Sequence, residues 1–429
     1  MLTALFTAVS GMSANGTGLS VTGDNIANMN TVGFKSSKTI FSDLLSQSLS
    51  GASGSSQVGR GVAISGIMPQ FTQGSFETSS SGLDLAIDGD GFFTVSDNGA
   101  RFYTRAGQFS VNKNGFVVNP DNLVLQGYLA DPTGTITGTV GDLQVGGSQS
   151  PANRTTTATI SVNLDSTAVP GAAFTLDSNG DGTANDPANY NFSNSTTVYD
   201  SQGGSHQVTQ YYVKTGANAW TVHYVHPDPA NANLLVDAGT QALTFDVNGA
   251  LVNDNSGTAI NFNFGGAVAT PQAIAFNYGT GTAEVPPGTG LDGTTQFASP
   301  SSISSQRQDG YAAGSLKSVN IGTDGIVTGV FTNGQTRALG QLALSRFVAT
   351  TQLSKVGKNL YAETNGSGQP VVGHANTSGL GEVAPNSLEL SNVDLAEEFV
   401  RMITYQRGFQ ANSRMITTTD QLLQGLVNL

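Results

Sequence analysis

The sequence predicts a mainly β chain with α-helical termini, in a nested multidomain architecture. Two antiparallel β domains sit between the halves of a coiled-coil-like N-/C-terminal helix pair. Three observations carry this prediction. Apolar residues recur every seventh position at both ends of the chain. Short strands separated by Asx-Gly turns fill 71–149 and 297–364. A second β-patterned stretch, 150–296, interrupts that texture, which then resumes.

At the N-terminus, Leu5, Met12, Leu19 and Ile26 form the sevenfold row, with Leu2 and Val9 at interleaved positions. Gly11, Gly16, Gly18 and Gly23 each cost about 1 kcal/mol relative to Ala within a helix. The N-terminal helix is therefore expected to order only in an assembly. At the C-terminus the row is Leu388, Leu395, Met402, Phe409, Ile416 and Leu423, with Phe399 and Leu426 on its flanks. Ser391 or Asn392 is the expected N-cap, and Asp394, Glu397 and Glu398 suit the positive end of the helix dipole. A narrow apolar row cannot bury itself, so both helices need partners.

Between the helices the expected divisions are a terminal helical domain (1–32 and 388–429), a linker region (33–70 and 365–387), a core β domain (71–149 and 297–364) and an inserted outer β domain (150–296). The linker reading rests on Gly/Ser-rich residues 50–66 and Gly/Pro/Asn-rich residues 365–386. Residues 34–50 read as a short amphipathic segment. In the core, Leu83–Ile87 and Phe92–Val95 read as strands about the turn Asp88-Gly89-Asp90-Gly91.

Composition narrows the function. The chain has 429 residues, a net charge of −13 and no cysteine. An acidic surface offers nothing to neutralise phosphates, which argues against nucleic acid as a partner. Without cysteine there is no disulfide framework and no thiolate nucleophile or metal ligand. No apolar run is long enough for membrane insertion. The N-terminus lacks the basic n-region of a cleaved Sec signal, Lys35 being the first basic residue. Export, if it occurs, is expected by another route.

Candidate chemistry is weak throughout. Asp177-Ser178-Asn179-Gly180-Asp181-Gly182 matches the first half of a calcium loop, but its twelfth position is Ala188 and no helices flank it. It reads as a surface loop. His223 and His226 lie three apart in a β-rich stretch, which sends them to opposite faces. Asp84, Asp88 and Asp90 read as turn residues rather than a catalytic carboxylate pair. The expectation is no enzyme, no cofactor and no metal. The apolar rows remain as the candidate site, an assembly surface.

Three longer motifs carry a resemblance. Asn25-Ile26-Ala27-Asn28-Met29-Asn30-Thr31-Val32-Gly33-Phe34-Lys35 resembles the N-terminal signature of the flagellar rod and hook axial protein superfamily. Leu83 to Phe93 is similar to its shared core motif, and Tyr405 to Arg414 with Thr417–Leu423 to its C-terminal helix. Thr197–Gly203 through Trp220–Val222, and Gln308–Gly329, resemble the hook-type members. The resemblance implies a structural hook subunit that self-assembles into a curved tube and transmits torque as a universal joint. It implies extracellular location in the hook and basal body after export by the flagellar type III apparatus. It also implies contacts with a distal rod protein, a hook cap protein and a hook–filament junction protein, and it adds Asn28, Gly33 and Phe34 to the assembly interface. Competing readings are a distal rod-type member of the superfamily and a secreted β-rich adhesin with coiled ends.

Overall fold

A computed structural model describes residues 2–45, 59–171, 173–176, 189–255, 257–266 and 268–427. The calcium-like loop 177–182 lies outside them, as do the side chains of Leu2 and Leu426. Helix α1 (Leu2–Ala27) and helix α2 (Leu395–Val427) stand at the two ends, with β-strands between. Among the described residues no helix is long and apolar enough to cross a membrane.

The chain divides into two compact units. One comprises Met1–Ser148, Leu316–Val330 and Thr336–Leu429, and the other Gln149–Ser315 and Phe331–Gln335. The first unit interleaves strands from both halves of the sequence. Its antiparallel sheet runs in the order Ile326–Phe331, Thr336–Leu342, Val124–Ala130, Phe92–Asp97, Ala100–Thr104, Leu360–Ala362 and Ser354–Gly357. Leu85, Ala86, Ile87, Phe93, Val95, Leu125, Leu342 and Leu344 are fully buried in this unit. Phe92, Tyr103, Phe347 and Tyr361 make an aromatic cluster with edge-to-face contacts at 4.7–6.1 Å, the geometry that aromatic quadrupoles favour.

Strand β1 (Ser37–Leu45) pairs antiparallel with strand β2 (Gly59–Pro69). This corrects the reading of 34–50 as an amphipathic segment and of 50–66 as a linker where they cover 37–45 and 59–66; residues 46–58 lie outside the described residues. The residues expected as a second linker are strands as well. Val371–Gly373 pairs with Leu344–Arg346, Glu382–Pro385 with Leu85–Asp88, and Ser387–Glu389 with Phe76–Thr78. Glycine and proline mark flexibility only where no partner strand exists. For Glu382–Pro385 and Ser387–Glu389 the partner comes from the opposite end of the chain.

The second unit holds two sheets over one core. A five-stranded antiparallel meander runs Phe192–Tyr199, Ser205–Gly216, Ala219–Asp228, Asn231–Phe245, Leu251–Asn253. A four-stranded sheet has the order Ile260–Phe262, Gln272–Asn277, Thr157–Asn163, Ser302–Gln308. One of its pairs, Thr157–Asn163 with Gln272–Asn277, is parallel, a departure from the all-antiparallel expectation. Ala158, Ile160 and Val162 alternate into the core, where they meet Tyr212, Trp220, Tyr224, Leu243, Phe262, Phe276 and Tyr278.

Three buried phenols anchor this core. The Tyr224 hydroxyl donates to Gln241 Oε1 at 2.7 Å and lies 3.0 Å from the Tyr278 hydroxyl. Burial is the main cause that raises Tyr212, Tyr224 and Tyr278 well above 10. In the unfolded chain phenols ionise near 10. Their contribution to stability is therefore complete below pH 10 and is lost as the pH rises above it. A tyrosinate absorbance titration should show these three phenols ionising only as the second unit unfolds. Smooth titration of all eleven tyrosines near pH 10 with the fold intact would contradict it.

Candidate assembly site at the chain ends

The helices α1 and α2 pack against each other antiparallel. A Cβ on Gly11 would fall 2.8 Å from the Asn412 side chain, one on Gly408 2.8 Å from Asn15, and one on Gly18 3.0 Å from the Tyr405 ring. Two of the four glycines that weaken α1 as an isolated helix, Gly11 and Gly18, thus allow close approach, whereas Gly16 and Gly23 have open space beside them. The buried face of α1 consists of Ala8, Gly11, Ala14, Gly18, Thr22 and Asn25. Within one chain, α2 supplies α1 with a packing partner.

The apolar rows are not the faces that meet. Leu5, Met12, Leu19 and Ile26 sit one position along from the Gly11–Gly18–Asn25 row and are only half-buried. One position is about 100° on a helix, which moves a row to the margin of a contact. On α2, Glu398, Tyr405, Asn412 and Thr419 make the inward row, and Glu398 and Thr419 are buried. Leu395, Met402, Ile416 and Leu423 are half-buried. Phe6, Val9, Phe399, Val400, Ile403, Phe409, Met415 and Leu422 are exposed by 40–66%. At the closest points of the crossing a glycine faces an asparagine or the Tyr405 ring. Small and polar residues take the centre, and the large apolar side chains are left outside.

The base of the pair is a buried polar clasp. Lys35 Nζ lies 2.6 Å from Glu389 Oε1 and donates to the Thr72 carbonyl at 2.7 Å. Glu389 Oε1 also accepts the Gly74 N–H at 2.9 Å, and Glu389 Oε2 meets Arg105 Nη1 at 3.4 Å. Arg105 Nη2 donates to the Gly89 carbonyl at 2.8 Å. Lys35 and Glu389 are wholly buried, and Arg105 almost so. Burial lowers the pKa of Lys35 and of Arg105, an effect that the Glu389 carboxylate opposes in both. Two neighbouring asparagines fasten the base of the pair, Asn25 within the N-terminal part and Asn392 between the two ends. Asn25 exchanges two 2.9 Å hydrogen bonds with the Ser37 backbone. Asn392 accepts the Ser36 N–H at 2.8 Å and donates to the Gln70 carbonyl at 2.8 Å.

Asn392 is therefore a splice and not a helix cap. Asp394 caps α2, its Oδ1 accepting the N–H groups of Ala396 and Glu397 at 2.8 and 3.2 Å. Gly33 and Phe34, expected on the assembly surface, belong to the interior. Gly33 has φ +68°, and a Cβ there would lie 2.5 Å from the Ala106 nitrogen. Phe34 is buried, with Lys355 Nζ 5.3 Å from its ring centre. Asn28 turns back to Asp24, donating to its carbonyl at 2.9 Å. Hydrophobic spacing carries no trace of the clasp, whose members are charged. Lys35, isolated as the first basic residue, was the available signal.

The histidines are separate. His223 Nδ1 pairs with Asp237 Oδ2 at 2.7 Å, and His226 Nδ1 lies 2.8 Å from the Pro227 carbonyl. Asp84 accepts from the Ser79 hydroxyl.

Comparison with known proteins places these features. Residues 5–35 match the model of the flagella basal body rod protein, and 384–429 that of the flagellar basal body rod FlgEFG protein C-terminal region. Residues 86–168 match the flagellar hook protein FlgE/F/G D1 domain, and 163–311 the flagellar basal body protein FlaE D2 domain. Clasped ends around nested β units are thus those of the flagellar rod and hook class. The chain is 37% identical over 437 residues to the flagellar hook protein FlgE of Salmonella typhimurium, covering 98% of each. It is 37% identical over 439 residues to that of Escherichia coli K12, covering 98% of each, and 35% identical over 460 residues to that of Borreliella burgdorferi, covering 100% of each. The chain belongs to the flagellar hook protein FlgE family, a family of structural proteins and not of enzymes. A crystal structure of Helicobacter pylori flagellar hook protein FlgE2 aligns over 72% of this chain and 98% of that one, with TM-score 0.49 and 14% identity.

Proposed function

We propose that this chain is the repeating subunit of the flagellar hook, polymerising into a curved tube that carries torque from the basal body to the filament as a universal joint. One observation carries the reading. The terminal helices meet through glycine, alanine, asparagine and threonine, and leave Phe6, Val9, Phe399, Ile403 and Phe409 facing outward. Burying each such side chain between copies contributes roughly 1.5–3 kcal/mol. Subunits related by a rotation that does not close form an open helical tube. The terminal helices form the inner wall, and the β units lie outside it. The family supports contacts with a distal rod protein, a hook cap protein and a hook–filament junction protein. Delivery to the extracellular hook by the flagellar type III export apparatus fits the same reading. A distal rod-type role and an adhesin role draw no support from the matched relatives. Electron microscopy of the purified chain after salting-out should show short curved tubes. Stable monomers at every concentration tested would overturn the proposal.

A further inference from the structure

The helix crossing carries the same device twice. Gly11 and Asn15 on α1 have the spacing of Gly408 and Asn412 on α2. Each asparagine packs over the glycine of the other helix, at 2.8 Å from the position of a Cβ. Each also donates Nδ2 to the carbonyl of its own helix's glycine, Asn15 to Gly11 at 2.7 Å and Asn412 to Gly408 at 2.9 Å. The arrangement is reciprocal, and the side-chain amides donate without needing water.

We propose that these two Gly–Asn pairs set the register of the terminal helices, and through it the alignment of the outward apolar rows in the polymer. The second half of the statement rests on the hook-subunit reading. Sevenfold rows can slip by a heptad and still match apolar with apolar. Tyr405, which sits over Gly18, would find Gly11 one heptad away, so the tyrosine cannot tell the two registers apart. The asparagines can. With Tyr405 over Gly11, Asn15 would face Arg401 and Asn412 would face Ala4. With the opposite slip, Asn412 would find Gly18 but Asn15 would face Met415. Only the observed register gives both asparagines a glycine. A buried asparagine fixing register at some cost in stability is an established use of polar residues in paired helices.

The absence of cysteine allows a direct test. Ser13 and Gln410 are exposed and lie at one level of the observed register. Spin labels on S13C/Q410C chains, diluted into unlabelled protein, report that level by electron–electron dipolar distances in monomer and in tubes. The parent should give one distance. Asn15→Leu with Asn412→Leu should add a second population displaced along the axis by one heptad, about 10.5 Å. The exchange Asn15→Gly with Gly408→Asn, which moves one asparagine to the opposite helix, should restore a single distance. A single unshifted distance in the double leucine variant overturns the proposal, as does loss of helix content with no displaced population. Failure of the unmodified chain to form tubes overturns the hook-subunit reading alone, because the monomer distances still report the register.

Discussion

Phe409→Asp yields a chain that folds and does not assemble. Phe409 is 40% exposed on α2 and takes no part in the close crossing with α1. Its replacement therefore spares both β units and the helix pair. In a polymer the same change recurs in every copy. Loss of a buried phenylalanine, about 3 kcal/mol per subunit, raises the critical concentration roughly 100-fold, and an unpaired carboxylate in an apolar contact raises it further. Sedimentation and electron microscopy measure the assembly, and calorimetry measures the units. Tubes at the parent concentration would show that this row faces solvent in the polymer. A marked fall in the melting temperature of the first unit would show that Phe409 serves the monomer.

Glu389→Ala acts on the opposite link, the fold of the first unit. It leaves Lys35 and Arg105 buried together without the carboxylate between them. Removing one partner of a buried ion pair costs about 3–5 kcal/mol. The melting transition of the first unit should fall while that of the second stays in place. Adding Lys35→Met should recover part of the loss, because Arg105 then remains alone with the nearby charge of Asp90. Equal melting of Glu389→Ala and the parent would show that water reaches the cluster.

The helices, the strand texture and the sevenfold rows were legible because each is a local pattern. Which row meets which neighbour was not. Spacing gives a row but not its direction, and in this chain the inward faces are small or polar. Gly11 and Gly18 read as defects in a helix until Asn412 and Tyr405 are seen opposite them. The stretches taken for linkers failed for a related reason. Glu382–Pro385 is glycine- and proline-flanked, and its partner Leu85–Asp88 is far away in sequence. No window along the chain contains both. The clasp is the extreme case, a lysine and a glutamate whose charges make sense only as a pair.

That pair also fixes an order of events. Lys35 and Glu389 are separated by 354 positions. A chain that arrives N-terminus first presents Lys35 long before its counter-charge. It likewise presents Phe76–Thr78 and Leu85–Asp88 before the strands that pair with them. The first unit cannot close on a partial chain, since its last strands and the carboxylate at its centre come near the end. The second unit has all its strands by Gln308, whereas the first waits for the last strands, and the chain becomes a subunit only when nearly all of it has been delivered.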